Sequence, residues 1–173
     1  RRVNVENAVA AVALLWVAGF DEAKLREGLE TFRGVKRRFD FHINTPELIY
    51  MDDYAHHPTE LRATLNTAKK LGYKRLIAVH QPFTYSRTKL LFNDFVDVLQ
   101  IPDVTVLTPI LGSREPNDPS ITSKMLADKI PGSVLVDSLA DAADWVRQNA
   151  REGDLVITLG CGDVYKASKM MVE

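Results

Sequence analysis

The stretch RLIAVHQPFTYSRTKLLFNDFVDVLQ, residues 75–100, decides the fold class. It begins with the almost continuous apolar run LIAVH, which is typical of a strand covered on both faces in a parallel sheet. After a polar turn, Leu91, Phe95 and Val98 recur at helical spacing, so residues 86–99 are predicted to form a helix with one apolar face. A buried strand followed by an amphipathic helix is the repeating unit of an α/β fold.

The same alternation extends on both sides of this stretch. Further helices are predicted over residues 58–71, 122–130, 139–150 and from residue 163, and further strands over residues 104–108, 133–136 and 155–159. Two earlier strands, residues 39–44 and 48–53, flank the turn-like Thr45-Pro46-Glu47 and are predicted to pair as a hairpin. The sequence therefore predicts a Rossmann-like, doubly wound α/β fold whose sheet is mostly parallel and starts with a hairpin.

Two helices are predicted ahead of this domain. Residues 4–19 are apolar around most of the helix circumference and need neighbours to cover them. Residues 21–32 follow, with Asp21 in the capping position and Gly34 beyond the end. The chain opens at Arg1 without a methionine and enters a helical pattern at once, so we expect a piece of a larger protein.

Composition excludes several classes of function. The 173 residues are 46% apolar, with 22 basic and 23 acidic side chains and a net charge of −1, so no general field favours nucleic acid or an anionic membrane. The single Cys161 excludes an internal disulfide. No signal peptide or membrane-spanning apolar run is present, and a cytoplasmic location is predicted.

Ligands of open α/β sheets bind beyond the carboxyl ends of the strands. The densest such segment is MDDYAHHPTE, residues 51–60, where Pro58 suits the first helical position and His57 the N-cap. Aspartate and histidine are good metal ligands, but adjacent histidines lack the one-turn spacing of an HExxH site. The structural alternative is that Asp52 caps a turn, Tyr54 packs, and one histidine bonds to backbone.

Three other loops follow strands. In HQPFTYSRT, residues 80–88, Ser86 is predicted to cap the next helix while Arg87 and the first-turn N–H groups suit an anion. In GSREPNDP, residues 112–119, Arg114 and Glu115 could pair in a solvated loop. LGCGDVYK, residues 159–166, has two glycines that allow close approach of a ligand, but it lacks the dinucleotide fingerprint. No P-loop occurs, so independent ATP hydrolysis is not expected.

Five segments in order, NVENAVAA (4–11), KRRFD (36–40), DDYAHHPTE (52–60), QPFTYSRT (81–88) and GCGDV (160–164), resemble the Mur ligases of bacterial cell-wall synthesis. The resemblance covers essentially the whole chain. Such ligases have an N-terminal domain for the UDP-sugar, a central domain with the P-loop and metal ligands, and a Rossmann-like C-terminal domain. The resemblance implies that residues 1–36 are the last helices of the central ATPase domain and that residues 37–173 are the C-terminal domain.

The resemblance also implies a reaction. The family uses ATP and Mg²⁺, the latter bound mainly by the central domain, to convert a muramoyl carboxylate into an acyl phosphate that an amine then attacks. DDYAHHPTE and YSRT are most similar to the members that act on UDP-N-acetylmuramate and L-alanine. The implied partners are these two substrates and the rest of the ligase, with neither nucleic acid nor membrane.

Roles for single residues follow from the same resemblance. Those implied to face the nucleotide, or water on the metal, are Asn4, Asn7, Arg38 and Asp53. Those implied to face the incoming amino acid and the reacting carboxylate are Tyr54, His56 and Arg87. The chain departs from the family pattern at Val3 and Phe83, where many members have histidine.

Three other hypotheses remain open on the sequence. A murein tripeptide recycling ligase shares the DD-aromatic-AHHP motif. A stand-alone nucleotide-binding Rossmann module would bind ATP without catalysis. A metal-dependent hydrolase would be centred on Asp53, His56 and His57.

Overall fold

The computed structural model describes residues 2–32, 34–45 and 47–172, without the side chains of residues 2–4. The chain divides into two compact units, Arg1–Val35 and Lys36–Glu173. Pro46, in the predicted hairpin turn, lies outside the described residues. Within the described part, no helix is both long and apolar enough to cross a bilayer.

The first unit contains helices α1 (Arg2–Val17) and α2 (Glu22–Thr31), as predicted. Asp21 caps α2, because its carboxylate accepts a hydrogen bond from the Lys24 amide at 3.2 Å. The apolar side chains Val9, Leu14 and Trp16 of α1 are more than 60% exposed. Such exposed apolar area on one helix is typical of a surface that another part of a protein covers.

The second unit is built on a six-stranded sheet. Its strands are β1 (Arg38–Asn44), β2 (Leu48–Asp53), β3 (Arg75–His80), β4 (Val104–Leu107), β5 (Val134–Leu135) and β6 (Asp154–Leu159). The strand order is β1-β2-β6-β3-β4-β5. Among the described residues, the β1–β2 hairpin is antiparallel and the other four strand pairings are parallel. The predicted mostly parallel sheet with an initial hairpin is therefore confirmed.

Helices cover both faces of this sheet, as the doubly wound prediction requires. They are α3 (Pro58–Ala68), α4 (Tyr85–Leu90), α5 (Phe92–Val98), α6 (Ser123–Ala127), α7 (Leu139–Asn149) and α8 (Tyr165–Val172). On one face Leu61, Leu65 and Phe95 pack against Leu76 and Ala78 of β3. On the other face, side chains of α7 and α8 pack against Ile77 and Val79 of the same strand. The alternation of side chains along β3 thus supplies both cores.

The prediction of one continuous helix over residues 86–99 is wrong. The run from Ser86 to Leu99 forms two short helices, because Leu91 leaves helical geometry with φ −107° and ψ 25°. Helix α4 consequently has only six residues. Ser86 is not its N-cap either, since Thr84 occupies that position.

Candidate functional site

Loops after four neighbouring strands meet at the carboxyl edge of the sheet. The Gly160 amide after β6 donates to the Asp53 carbonyl at the end of β2, at 3.2 Å. The Gln81 amide after β3 donates to the Leu159 carbonyl at 3.2 Å, and the Thr108 amide after β4 to the His80 carbonyl at 3.1 Å. The backbone ladder thus continues past the strand ends and joins all four loops into one surface.

Gln81 adds a side-chain link between two of these loops. Its Oε1 accepts from the Asp163 amide at 2.8 Å. A methyl group at Gly162 would lie 2.6 Å from the same Oε1, so a larger residue there would displace the Gln81 side chain from this contact. The GCGDV turn is therefore held in place by the loop that carries Arg87.

Asp53 is buried and engaged by protein donors. Its Oδ2 accepts from the Phe39 amide at 2.9 Å, and its Oδ1 from the Ala55 amide at 2.9 Å and the Thr64 hydroxyl at 3.2 Å. The side chain is 3% exposed. Asp53 thus closes the turn from β2 into α3 and anchors the start of β1, beside Arg38.

Asp52 makes a different set of contacts. Its carboxylate accepts from the Thr158 hydroxyl of β6 at 2.9 Å and lies 3.4 Å from Arg37 Nε. Burial raises the pKa of Asp52, against the lowering effects of the Thr158 hydrogen bond and the Arg37 charge. The structural alternative predicted that Asp52 caps a turn. This prediction is wrong, because the carboxylate that closes the turn belongs to Asp53.

His57 is the N-cap of α3, as predicted. Its Nδ1 accepts from the Thr59 amide at 3.3 Å, while Glu60 accepts in return from the His57 amide at 3.3 Å. This reciprocal pair is a capping box. Burial opposes a low pKa for Glu60, but hydrogen bonds from the His56 and His57 amides and the His56 charge lower it overall. His57 has a structural task that leaves its Nδ1 unavailable to a metal.

Tyr54 and His56 lie together at the edge of the site. Their rings meet edge to face with centroids 5.6 Å apart. His56 Nδ1 is 3.1 Å from the Tyr54 carbonyl and 3.2 Å from Glu60 Oε2. Both side chains are half-buried, so one part of each ring remains open to solvent or ligand.

Arg38 is exposed, and its guanidinium carbon lies 5.6 Å from the centroid of the Tyr54 ring. The structure thus brings Arg38, assigned by the resemblance to the nucleotide, close to Tyr54 and His56, assigned to the amino acid. A cation against the face of an aromatic ring is a favourable contact.

Arg87 occupies the first turn of α4. Its guanidinium lies 5.8 Å from the Phe83 ring, and its Nη1 is buried without a hydrogen-bond partner among the described residues. Burial raises the pKa of the nearby Cys161 thiol, although the Arg87 charge opposes this. A raised pKa argues against a nucleophilic thiolate. Arg87 is a cation with an unused donor at the crevice.

The predicted anion position at the start of α4 is filled by the protein itself. Glu115 accepts from the Ser86 amide at 2.9 Å and from the Ser86 hydroxyl. The Ser86 hydroxyl and amide lower the pKa of Glu115. Glu115 therefore binds Ser86, and the loop over residues 109–121 is tied to α4.

The cofactor-side asparagines belong to the first unit. Asn7 is exposed on α1, and the side chain of Asn4 lies outside the described residues. No group of three or more histidine, cysteine, aspartate or glutamate side chains within the described ranges could hold a metal ion. The metal-dependent hydrolase hypothesis has no metal site in this part of the chain.

Two residues of the site were missed by the sequence analysis. Arg37 contacts Asp52, Tyr54, Tyr165 and the glycine turn, although KRRFD contains two adjacent arginines that look equivalent. His80 is completely buried and stacks on Phe95 with ring centroids 5.8 Å apart. The available signal was an imidazole at the end of an otherwise apolar strand.

Comparison with known proteins gives consistent results. The family model described as "Mur ligase, glutamate ligase domain" matches residues 37–162. A UDP-N-acetylmuramate–L-alanine ligase of Agathobacter rectalis is 41% identical over 98% of this chain, which spans 38% of that protein. The crystal structure of the UDP-N-acetylmuramate-alanine ligase of Thermotoga maritima superposes with a TM-score of 0.77 at 31% identity, covering 98% of this chain and 36% of its own.

A murein peptide ligase of Psychrobacter arcticus gives a TM-score of 0.70 at 23% identity, covering 98% of this chain and 36% of its own. At this identity the likeness is one of fold alone.

Proposed function

Because this chain belongs to the Mur ligase family, we propose that it is the C-terminal part of an ATP-dependent ligase that joins L-alanine to UDP-N-acetylmuramate. The single observation that supports this most is the carboxyl edge of the sheet, where Arg38, Tyr54 and His56 lie together and the neighbouring loop carries Arg87 with a buried, unpartnered Nη1 among the described residues. Such a surface can bind and orient anionic groups, and the sequence carries no P-loop for ATP. Its function is to close over substrates held elsewhere in the ligase.

We propose the domain boundary near residue 36. Residues 1–36 would be the last helices of the central ATPase domain, and residues 37–173 the closing domain. The exposed apolar side chains of α1 support this, because the remainder of an ATPase domain would cover them. The 173-residue chain by itself is expected to be inactive.

For the amino-acid side, the proposed residues are Tyr54, His56 and Arg87. Arg87 has a buried Nη1 without a partner among the described residues, and a substrate carboxylate would supply one. Tyr54 and His56 are half-buried in the loop after β2, at the same carboxyl edge of the sheet. Their task is to orient the amine for attack on the acyl phosphate of the muramoyl carboxylate, which yields the amide and releases phosphate.

For the nucleotide side, the proposed residues are Asn4, Asn7, Arg38 and Asp53. Arg38 is the exposed cation of this group and would contact the nucleotide directly. Asp53 has three protein donors on its carboxylate, so we propose that it acts mainly by anchoring the Phe39 amide and hence the backbone that carries Arg38. ATP supplies the phosphoryl group, and the described residues do not fit a Mg²⁺ site, so its ligands are proposed to lie in the central domain.

An Arg87→Ala variant of the full-length ligase tests the proposal. Loss of a charge-assisted hydrogen bond of about 1.5–3 kcal/mol should lower kcat/KM for L-alanine by roughly 10- to 100-fold. Lys89→Ala is the matched control, because Lys89 is an exposed cation on the same helix that contacts Ser120. Equal ligation rates for Arg87→Ala and the unmodified enzyme would count against the assigned role.

Two further assays separate the remaining hypotheses. Competition between L-alanine and a murein tripeptide in the intact enzyme distinguishes the L-alanine ligase from a recycling ligase. Calorimetry with ATP on the 173-residue chain distinguishes a closing domain, for which weak binding is expected, from a stand-alone nucleotide-binding module, for which tight binding is expected.

A further inference from the structure

Arg37 connects three separate segments of the carboxyl edge. Its Nη2 donates to the carbonyl oxygens of Gly160 and Gly162 at 2.9 and 3.0 Å. Its Nε lies 3.4 Å from Oδ2 of Asp52, which is 1% exposed. The backbone of Arg37 has a φ of 60°, which is uncommon for a residue other than glycine. These contacts join the start of β1, the end of β2 and the turn after β6.

The same guanidinium also lies close to two aromatic rings. Its central carbon is 4.9 Å from the centroid of Tyr54 and 4.5 Å from that of Tyr165 at the start of α8. The Arg37 side chain is only 25% exposed, so the contacts are formed largely away from water. Cation–π contacts are stronger in such partly desolvated positions than at an open surface.

The planar shape of the guanidinium explains why arginine is needed here. One edge serves the two glycine carbonyls and another the Asp52 carboxylate, while both faces stay free to stack on rings. A lysine ammonium has no face for stacking and no fixed fork of donors. Without Arg37, the two carbonyls lose their side-chain donor and Tyr54 loses one of the groups that hold its ring.

We propose that Arg37 is a positioning residue that holds Tyr54 and the Gly160–Gly162 turn in one fixed arrangement for the ligation reaction. Its Nη2 is bonded to the two glycine carbonyls and its Nε faces the Asp52 carboxylate, so we assign it to holding these protein groups and not to binding the substrate. The effect on catalysis rests on the proposed function, since Tyr54 is the residue assigned to the amino acid. The effect on the glycine turn depends on the geometry of this chain alone.

Arg75 offers a matched control at the opposite edge of the sheet. It also pairs with a buried aspartate, Asp154, at 2.6 Å and donates to a backbone carbonyl, that of Asn149, at 2.8 Å. Its side chain is 27% exposed, close to the value for Arg37. The Arg75→Met variant therefore removes a similar charge and similar contacts far from the carboxyl edge.

The first experiment is amide hydrogen exchange on the 173-residue chain. Arg37→Met should speed exchange at Gly160 and Asp163 by about tenfold relative to core amides of β3, the factor expected for loss of a charge-assisted hydrogen bond. Arg75→Met should leave this ratio unchanged. Arg37→Lys, which keeps the positive charge and is the milder change for folding, should show an intermediate increase. The proposal is overturned if the ratio of loop to core exchange is the same in Arg37→Met as in the unmodified chain. It is also overturned if Arg37→Met and Arg75→Met increase this ratio equally.

The second experiment uses the full-length ligase. Arg37→Met should raise KM for L-alanine by about tenfold with a smaller change in kcat, whereas Arg75→Met should leave KM unchanged. An unchanged KM in Arg37→Met overturns the positioning role even if exchange is faster. Failure of the unmodified full-length enzyme to ligate L-alanine would instead refute the proposed function, and the exchange result would then decide the role of Arg37 in the fold.

Discussion

Protonation of His80 is predicted to destabilise the second unit as the pH falls. Complete burial, together with the charge of His56, lowers the pKa of His80 from 6.5 to about 4, against the opposing effect of the Leu159 carbonyl. The neutral ring donates from Nδ1 to the Leu159 carbonyl at 3.1 Å. Its Nε2 has no hydrogen-bond partner within the described ranges, so an added proton would also be buried without an acceptor there.

The sign and size follow from linkage. Between pH 6.5 and 4 the unfolded chain binds a proton at His80 that the folded chain does not. The contribution of neutral His80 to stability is therefore fully present above pH 6.5 and is lost as the pH falls toward 4. At about 1.4 kcal/mol for each pH unit, the total is roughly 3 kcal/mol, a large fraction of a typical domain stability.

The assay compares the chain with a His80→Phe variant, both carrying Trp16→Phe so that Trp145 alone reports on the second unit. Phenylalanine keeps a ring against Phe95, and the Leu159 carbonyl retains the Gln81 amide as a donor at 3.2 Å. The free energy of unfolding of each protein is measured in urea at pH 7.5, 6.5, 5.5 and 4.5. Between pH 7.5 and 4.5, the protein with His80 should lose roughly 2.5 kcal/mol more stability than the His80→Phe variant. A difference that stays constant with pH would refute the reasoning, because all other titrating groups are common to both proteins.

Three further predictions concern the loops of the site. Asp53→Ala should lower the free energy of unfolding by about 2–4 kcal/mol in urea denaturation, because it removes the carboxylate that accepts from the buried Ala55 amide, the part-buried Phe39 amide and the Thr64 hydroxyl. Glu115→Gln should speed hydrogen exchange at the Ser86 amide, because a neutral amide oxygen is a weaker acceptor than a carboxylate. At Gly160, φ is +151° and an added methyl group would lie 3.1 Å from the Gln81 carbonyl oxygen, so Gly160→Ala should introduce about 1–3 kcal/mol of strain. This strain should lower the melting temperature by several degrees.

Each of these has its own control. Asp40→Ala, on the neighbouring strand, should cost less than Asp53→Ala, and equal losses would contradict the structural role of Asp53. Exchange at the Met125 amide, which is capped by Thr122, should not respond to Glu115→Gln. Gly28→Ala provides the reference for Gly160→Ala, because no atom lies within 4 Å of its added methyl group, and equal melting temperatures would contradict the steric argument.

Much of the fold could be predicted because its signals are local. The capping role of His57 follows from Pro58 and Glu60, which are its close neighbours in sequence. The opposite directions of Asp52 and Asp53 follow from the two-residue period of a strand. Continuity of the 86–99 helix was predicted from its apolar spacing and was wrong, because that spacing persists across the break at Leu91.

The partners of the site residues could not be predicted in the same way. Arg37 and Arg38 are adjacent, yet only Arg37 reaches Gly160, which is 123 residues away in sequence. Glu115 fills the start of α4 from 29 residues away, where the sequence indicated an external anion. Arg87 was identified from its place after a buried strand, but the unpartnered Nη1 was visible only in the folded chain.

Local sequence patterns predict the alternation of strands and helices, the hairpin at the start of the sheet, and the loops that carry the candidate site residues. These features depend on side-chain periodicity and on caps that act over three or four residues. Which loops are neighbours depends on the assembled sheet, because the strand order β2-β6-β3 places residues 53, 160 and 81 side by side. Hydrogen bonds between such distant residues form only after the sheet has assembled, so no local pattern encodes that Arg37 holds Tyr54 and the glycine turn together.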